Sequence, residues 1–328
     1  MTLILLTGAG FSRNWGGWLA VEAFEYLLGS PEIDEGLRDL LWRHQEKGTG
    51  FEGALADLQR DFTHRKDETS KKALDGLQTA LVGMFNEMNA GLSTIPNFAV
   101  ADHTRSIRSF LDLFDAIFTL NQDLLLEQHY CDATSGPGVR FRWRGAKVPG
   151  VRPINPTLHI ADPRAQANEP CRPDQSLFNE QTDYQPYYKL HGSSNWVADT
   201  GDHLLIMGGA KVASISMHPI LDWYAKQFQA YLSRPNVRLV VIGYSFSDDH
   251  INEAIMAAAA NGLKLFIIDP AGAMIIDKRS NAGMIQRLPE PLMETLKPCV
   301  AGASRRPLSA IFGSDTVEHG KVMRFIKG

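Results

Sequence analysis

The sequence predicts an α/β fold, a parallel sheet flanked by helices, and three observations predict it. Short apolar runs recur along the chain and break at glycine or at polar residues, as in TLILLT (2–7), VRLVVIG (237–243) and LKLFIID (263–269). They do not alternate, which suits strands covered by helices on both faces of a parallel sheet. Between them lie long stretches whose apolar residues recur at helical spacing.

The first strand, residues 2–7, ends in GAGFS (8–12). A long helical region comes next, in which Leu37, Leu40 and Leu41, then Phe51, Leu55, Leu58 and Phe62, then Leu74, Leu77, Leu81, Met84, Phe85 and Met88 mark successive core-facing stripes. The charge run HRKDETSKK (64–72) reads as an exposed loop and helix start. DAIFTLNQD (115–123) and YYKLHGSSNW (187–196) each read as a strand ending in polar residues. Residues 132–183 are rich in Pro, Gly and Arg without a sustained period and read as an irregular insertion, within which FRWR (141–144) reads as a solvated hairpin.

Pro219 suits a first helical turn, and Leu221, Tyr224, Phe228, Tyr231 and Leu232 then mark a buried face. VRLVVIGYS (237–245) is the next strand, and SDDHINEAIMAAAA opens a helix with Asp248 and Asp249 read as caps. LKLFIID closes the series at Asp269. Strand, helix and strand in this order form a right-handed crossover, so the sheet is expected to be Rossmann-like. The catalytic domain is drawn at 1–275 with a helical insertion at 17–113, and 276–328 as an extension packed on it or used in assembly.

Five strands end in GAGFS, TLNQD, LHGSSN, GYSFSDD and IDP, and ligands of open α/β sheets lie outside such carboxyl ends. Without a Cβ, Gly8 and Gly10 allow either a tight packing turn or a close approach of free N–H groups to a pyrophosphate.

Composition excludes several classes. The 44% hydrophobic content of 328 residues fills a sizeable core, and a net charge of -4 supplies no general field for nucleic acid. Cys131, Cys171 and Cys299 lie far apart, which is neither a disulfide framework nor the paired-cysteine spacing of a zinc module. No apolar run is long enough for a membrane span and no leader pattern precedes the first strand, so the expected location is cytoplasmic.

Taken in order, GAGFS, TLNQD, the HG after YYKL, GYSFSDDHIN and the late IDP resemble the signature of the sirtuin-like NAD-binding family, over about residues 3–270. KLHGSSNW and GYSFSDDHIN are more similar to the bacterial sirtuin-like NADases of antiphage defence than to the protein deacylases. The resemblance implies that Gly8, Ala9, Gly10 and Ser12 cradle phosphate, and that Asn121 and Asp123 hold the nicotinamide ribose and the carboxamide end. It makes His191 the catalytic histidine, places Gly243, Tyr244 and Ser245 under the adenosine half, and sets Asp269 beside the adenine ribose. The cysteine-built zinc module of the deacylases is absent, and RNWGGW replaces their Pro and Phe-Arg continuation of the glycine turn, so the acyl-lysine channel is not carried over.

The activity this resemblance implies is that of an NAD+ glycohydrolase, with NAD+ as substrate and no metal, that releases nicotinamide and ADP-ribose as the effector of an antiphage system. With its ordinary pKa near 6.5, His191 is expected to accept a proton at neutral pH. No GxxxxGK[ST] occurs, so control is expected from a homo-oligomer or from a separate partner such as a ring-forming ATPase or an argonaute-like protein, without direct nucleic-acid binding. The alternatives are a non-catalytic NAD- or ADP-ribose-binding assembly subunit, and an NAD-dependent protein deacylase or ADP-ribosyltransferase.

Overall fold

The computed structural model describes residues 1–96, 105–131, 143, 145–155, 163–199, 201–209, 211–276 and 290–328. The described strands are β1 (Thr2–Thr7), β2 (Ala116–Thr119), β3 (Ala146–Lys147), β4 (Val151–Pro153), β5 (Cys171–Pro173), β6 (Gln185–Lys189), β7 (Gly192–Val197), β8 (His203–Leu205), β9 (Val237–Ile242), β10 (Lys264–Ile268) and β11 (Val300–Ser304). Seven of them form one sheet in the order β11-β10-β9-β1-β2-β6-β3, with every neighbouring pair parallel. This is the expected Rossmann-like α/β arrangement.

The chain starts in the middle of the sheet, builds one side through β2, β6 and β3, and then returns to the other side of β1 with β9, β10 and β11. Strand order therefore reverses at the β1/β9 pair, and a crevice opens beyond the carboxyl ends there. Each central strand feeds two cores, as its unbroken apolar run requires. Leu3 and Leu5 of β1 join Leu27, Leu77, Phe110 and Phe312 on one face. Ile4 and Leu6 join Tyr224, Phe228 and Ile255 on the other.

The helical region comprises Ala20–Leu28, Glu35–Glu46, Gly50–Arg65 and Glu68–Ser93. Lys66 ends the third of these in the left-handed conformation, and the Asp67 side chain accepts from the Ser70 N–H to start the fourth. That explains the charge run at 64–72. Pro219 opens the helix Pro219–Leu232, whose buried face carries Leu221, Tyr224, Phe228, Tyr231 and Leu232.

Three differences from the sequence reading have physical causes. YYKLHGSSNW is two strands rather than one, because Gly192 turns the chain at φ +79 and packs where a Cβ would stand 2.1 Å from the Leu204 carbonyl. The described part of 132–183 contains β3, β4 and β5, too short to show a period, with β4, β5, β7 and β8 forming a second sheet. Of FRWR, only Trp143 lies within the described residues. Residues 300–304 of the extension form β11, the edge strand of the central sheet, and the helix Thr316–Lys327 buries Val322, Phe325 and Ile326 against the rest.

The turns after β1 and β9 cross at van der Waals limits. A Cβ on Gly8 would stand 2.6 Å from the Gly243 carbonyl oxygen, and one on Gly10 would stand 2.7 Å from the Gly243 Cα. Gly243 itself sits at φ +61 with the Gly10 Cα 2.4 Å from any added Cβ. Gly243→Ala is expected to lower stability by about 3 kcal/mol, from the left-handed backbone and overpacking together. Gly262→Ala, at φ +82 but in open space, should cost only about 1 kcal/mol. Denaturant midpoints of the two variants measure the difference.

Candidate active site

Above the β1/β9 crossing lies a cleft of about 790 Å³, within the range of small-molecule sites. Its floor is the glycine crossing. Gly8 donates its N–H to the Ile242 carbonyl at 3.0 Å and Gly10 to the Gly243 carbonyl at 3.0 Å, while Phe11 donates to Gly8 at 2.8 Å. These amides hold strand ends together, so the glycines serve the packing turn.

Gly8, Ala9, Gly10, Asn121, Asp123, His191, Gly243, Tyr244, Ser245 and Asp269 all line the cleft. Ser12 does not. It is buried behind the wall, where its hydroxyl accepts from Asn121 Nδ2 at 2.9 Å. Its placement is thus that of an orienting group for Asn121, whose backbone N–H is held in turn by the Thr119 hydroxyl at 3.0 Å.

Asp123 is buried, and its Oδ1 accepts the Leu125 N–H at 3.0 Å at the start of the helix Leu125–His129. Its carbonyl accepts from Lys189, a fully buried ammonium that also bonds Glu127 Oε1 at 2.6 Å. Burial pushes the Glu127 carboxyl up, with Lys189 opposing. Such a pair is costly to break one side at a time, and here it fastens the end of β2 to β6.

Tyr244 turns its hydroxyl into its own loop, onto the Asp248 carbonyl and Asn252 Oδ1. Asp269 accepts the Ala271 N–H at 2.8 Å, an Asx turn at the mouth of β10. Ser193, Ser194 and Asn195 are engaged elsewhere: Ser193 donates to Asn195, Asn89 donates to Ser194, and Asn195 donates to the Ala167 and Glu169 carbonyls.

His191 is buried, and its Nε2 lies 3.1 Å from Nε2 of His250. Burial pushes its pKa down to about 3, Lys211 and His250 add to the fall, and the Asp248 carboxylate opposes it. The imidazole is therefore neutral across the whole physiological range, well below the ordinary value expected for it. Asp248 stands at the N-cap position of the helix Asp249–Ala259 but its side chain makes no capping bond. It reaches instead to Lys211 at 2.9 Å, which also bonds Glu52 at 2.8 Å. Burial works against the Lys211 charge, yet the two carboxylates raise its pKa.

Several positioning residues gave no signal in the sequence. Gln122, between the two residues singled out in TLNQD, donates to the carbonyls of His191 and Ile206 at 3.0 and 2.9 Å. Asn89, on a helix read only as core, accepts the Leu124 N–H at 2.9 Å and so fixes the Asp123 loop. Phe51, Glu52, Met84, Phe85 and Met88 bring the helical region to the cleft, and Arg305, Arg306 and Leu308 bring the chain beyond β11.

A ligand-binding Rossmann-like protein is the class that this fold and cleft define. The SIR2-like domain family matches residues 115–287, more than half of the chain, and the protein belongs to that family. It is a family of NAD-utilising enzymes. No curated protein matches the chain. Among the described residues no helix is long and apolar enough to cross a membrane.

Burial also lowers the pKa of His129, His218 and His250. With folded values below the unfolded 6.5, the unfolded chain binds more protons in acid, and stability rises with pH. His191, held neutral with a pKa of about 3, should cost roughly 1.4 kcal/mol per pH unit below about 6.5, and the other three act in the same direction. Denaturant midpoints between about pH 7.5 and pH 5.5 should fall steadily, and less steeply in His191→Gln.

Proposed function

We propose that the protein is an NAD+ glycohydrolase that cleaves NAD+ to nicotinamide and ADP-ribose. The observation that carries this reading is that Asn121 and His191, from loops after β2 and β6, both line the cleft above the glycine crossing. Family membership supports NAD+ as the ligand.

Cleavage of a glycosidic bond passes through an oxocarbenium-like state, so the site must tolerate positive charge on the ribose and present a nucleophile. Asn121, oriented by Ser12 and lining the cleft, suits the ribose hydroxyls or the attacking water. Asp123 supplies a buried carboxylate near the same wall, fixed by Leu125 and suited to the carboxamide. His191 is a neutral acceptor. Because burial makes it a weak base, the proton it takes must be one whose loss is favoured as the ribose becomes cationic, and the Asp248 charge compensates the imidazolium that forms.

Water is the acceptor in this reading, and Phe51, Met84, Phe85 and Met88 give the cleft apolar surface. A role as an antiphage effector, held silent by self-association or by a separate sensor, belongs to the same proposal.

Purified protein incubated with NAD+ should release nicotinamide and ADP-ribose in equal amounts, followed by chromatography. Asn121→Ala and His191→Ala should each lose about 10²–10⁴-fold in kcat while retaining NAD+ binding by calorimetry. Full turnover in Asn121→Ala would overturn the mechanism. Saturable binding without product would favour an NAD-binding subunit, transfer of ADP-ribose label to an added protein would favour transferase chemistry, and NAD+-dependent loss of the acyl group from an added acyl-lysine peptide would favour a deacylase.

A further inference from the structure

The proposed reaction uses His191, with Asp248 as its compensating charge, and gives His250 no part. His250 meets it edge to edge, with ring centroids 5.2 Å apart and planes tilted by 40°. One ring nitrogen from each histidine and a carboxylate oxygen of Asp248 all lie within 4.8 Å of one another, and the two Nε2 atoms are 3.1 Å apart. A single N–H···N bond accounts for the two rings. Asp248 stands beside them, its carboxylate making no capping bond and held by Lys211 instead.

Two imidazole nitrogens bound to one tetrahedral ion at about 2.0–2.1 Å sit roughly 3.3–3.4 Å apart. The observed 3.1 Å is within a few tenths of that separation. We propose that His191, Asp248 and His250 bind one divalent cation of the Zn²⁺ type, with its fourth position open to the cleft. Two imidazoles and one carboxylate are a donor set that zinc accepts, and His191 and Asp248 both line the cleft wall.

Charge does not forbid the ion. Lys211 is a cation beside the group, but it is bonded to both Asp248 and Glu52, so these three side chains with the neutral histidines sum to -1. One divalent ion takes the group to +1. Lys211 also anchors the Asp248 carboxylate, as an outer partner of a metal ligand does. The two rings share one proton at Nε2, and for both to ligate, the donor ring must carry its proton on Nδ1 instead. This is a tautomer change with no net proton release.

The ion would occupy His191 Nε2 and place positive charge beside a ribose that itself becomes positive. Metal binding is therefore a brake on the enzyme, and this half of the inference rests on the role given to His191 under the proposed function. The binding half does not.

Chelator-treated full chain, without NAD+, is titrated with Zn²⁺ by calorimetry and with Co²⁺ by visible absorption. One ion per chain at this site is expected, with Co²⁺ bands of low-symmetry nitrogen and oxygen ligation. His250→Ala and Asp248→Asn, checked for fold by circular dichroism, should each weaken Zn²⁺ binding by at least about tenfold and remove the bands. Equal affinity in the wild type and both variants, or no binding by the wild type, overturns the site. Zn²⁺ should inhibit wild-type NAD+ cleavage at concentrations matching its binding, reversibly with chelator, and the residual turnover of His250→Ala should be insensitive. Binding without inhibition overturns the brake alone. Absence of NAD+ cleavage in the metal-free wild type counts against the proposed function, while the calorimetry still decides the site.

Discussion

The contact on which the site depends is backbone against backbone, where the turn after β1 meets the turn after β9. Three glycines, Gly8, Gly10 and Gly243, let these loops touch at distances no side chain permits. The N–H groups of Gly8 and Gly10 then bond carbonyls of residues 242 and 243. Without that crossing the two halves of the sheet would end apart, and there would be no common floor beneath Asn121, His191 and Asp269. The amides of the GAG turn therefore join the two halves of the sheet.

The walls above this floor are held by buried polar bonds rather than by apolar contact alone. Lys189 and Glu127 tie β6 to the loop carrying Asp123, Gln122 ties that loop to the His191 carbonyl, and Asn89 ties it to the longest helix. Each of these groups is satisfied inside the protein, where an unmade bond would be costly. The outcome is a set of catalytic candidates whose loops have little freedom to drift apart. The charged chain from Glu52 through Lys211 to Asp248 extends the same logic to the helical region.

The central strands were legible because burial on both faces leaves an unbroken apolar run, as in TLILLT and VRLVVI. Their polar endings pointed to the cleft, and ten of the eleven candidate residues line it. Ser12 was misplaced because its spacing from the glycines says nothing of whether the hydroxyl faces inward or outward. Asp248 reads as a helix cap from its local sequence, and only the position of Lys211, 37 residues earlier, reveals its other use. β11 was invisible for a different reason: VAGAS has small residues and a half-exposed pattern at a sheet edge, so neither period nor hydrophobicity marks it.

That edge strand has a consequence in time. Arg305, Arg306 and Leu308, just past β11, line the cleft, and the Leu308 N–H donates to Asn14 Oδ1 beside the glycine turn. β1 emerges from the ribosome well before β11, and its turn gains this partner only after about three hundred further residues have been made. Domains fold as synthesis proceeds, so a nascent chain carries the floor of the cleft long before it carries the closed cleft. For an enzyme of the proposed activity, this order keeps the half-built chain without a finished site.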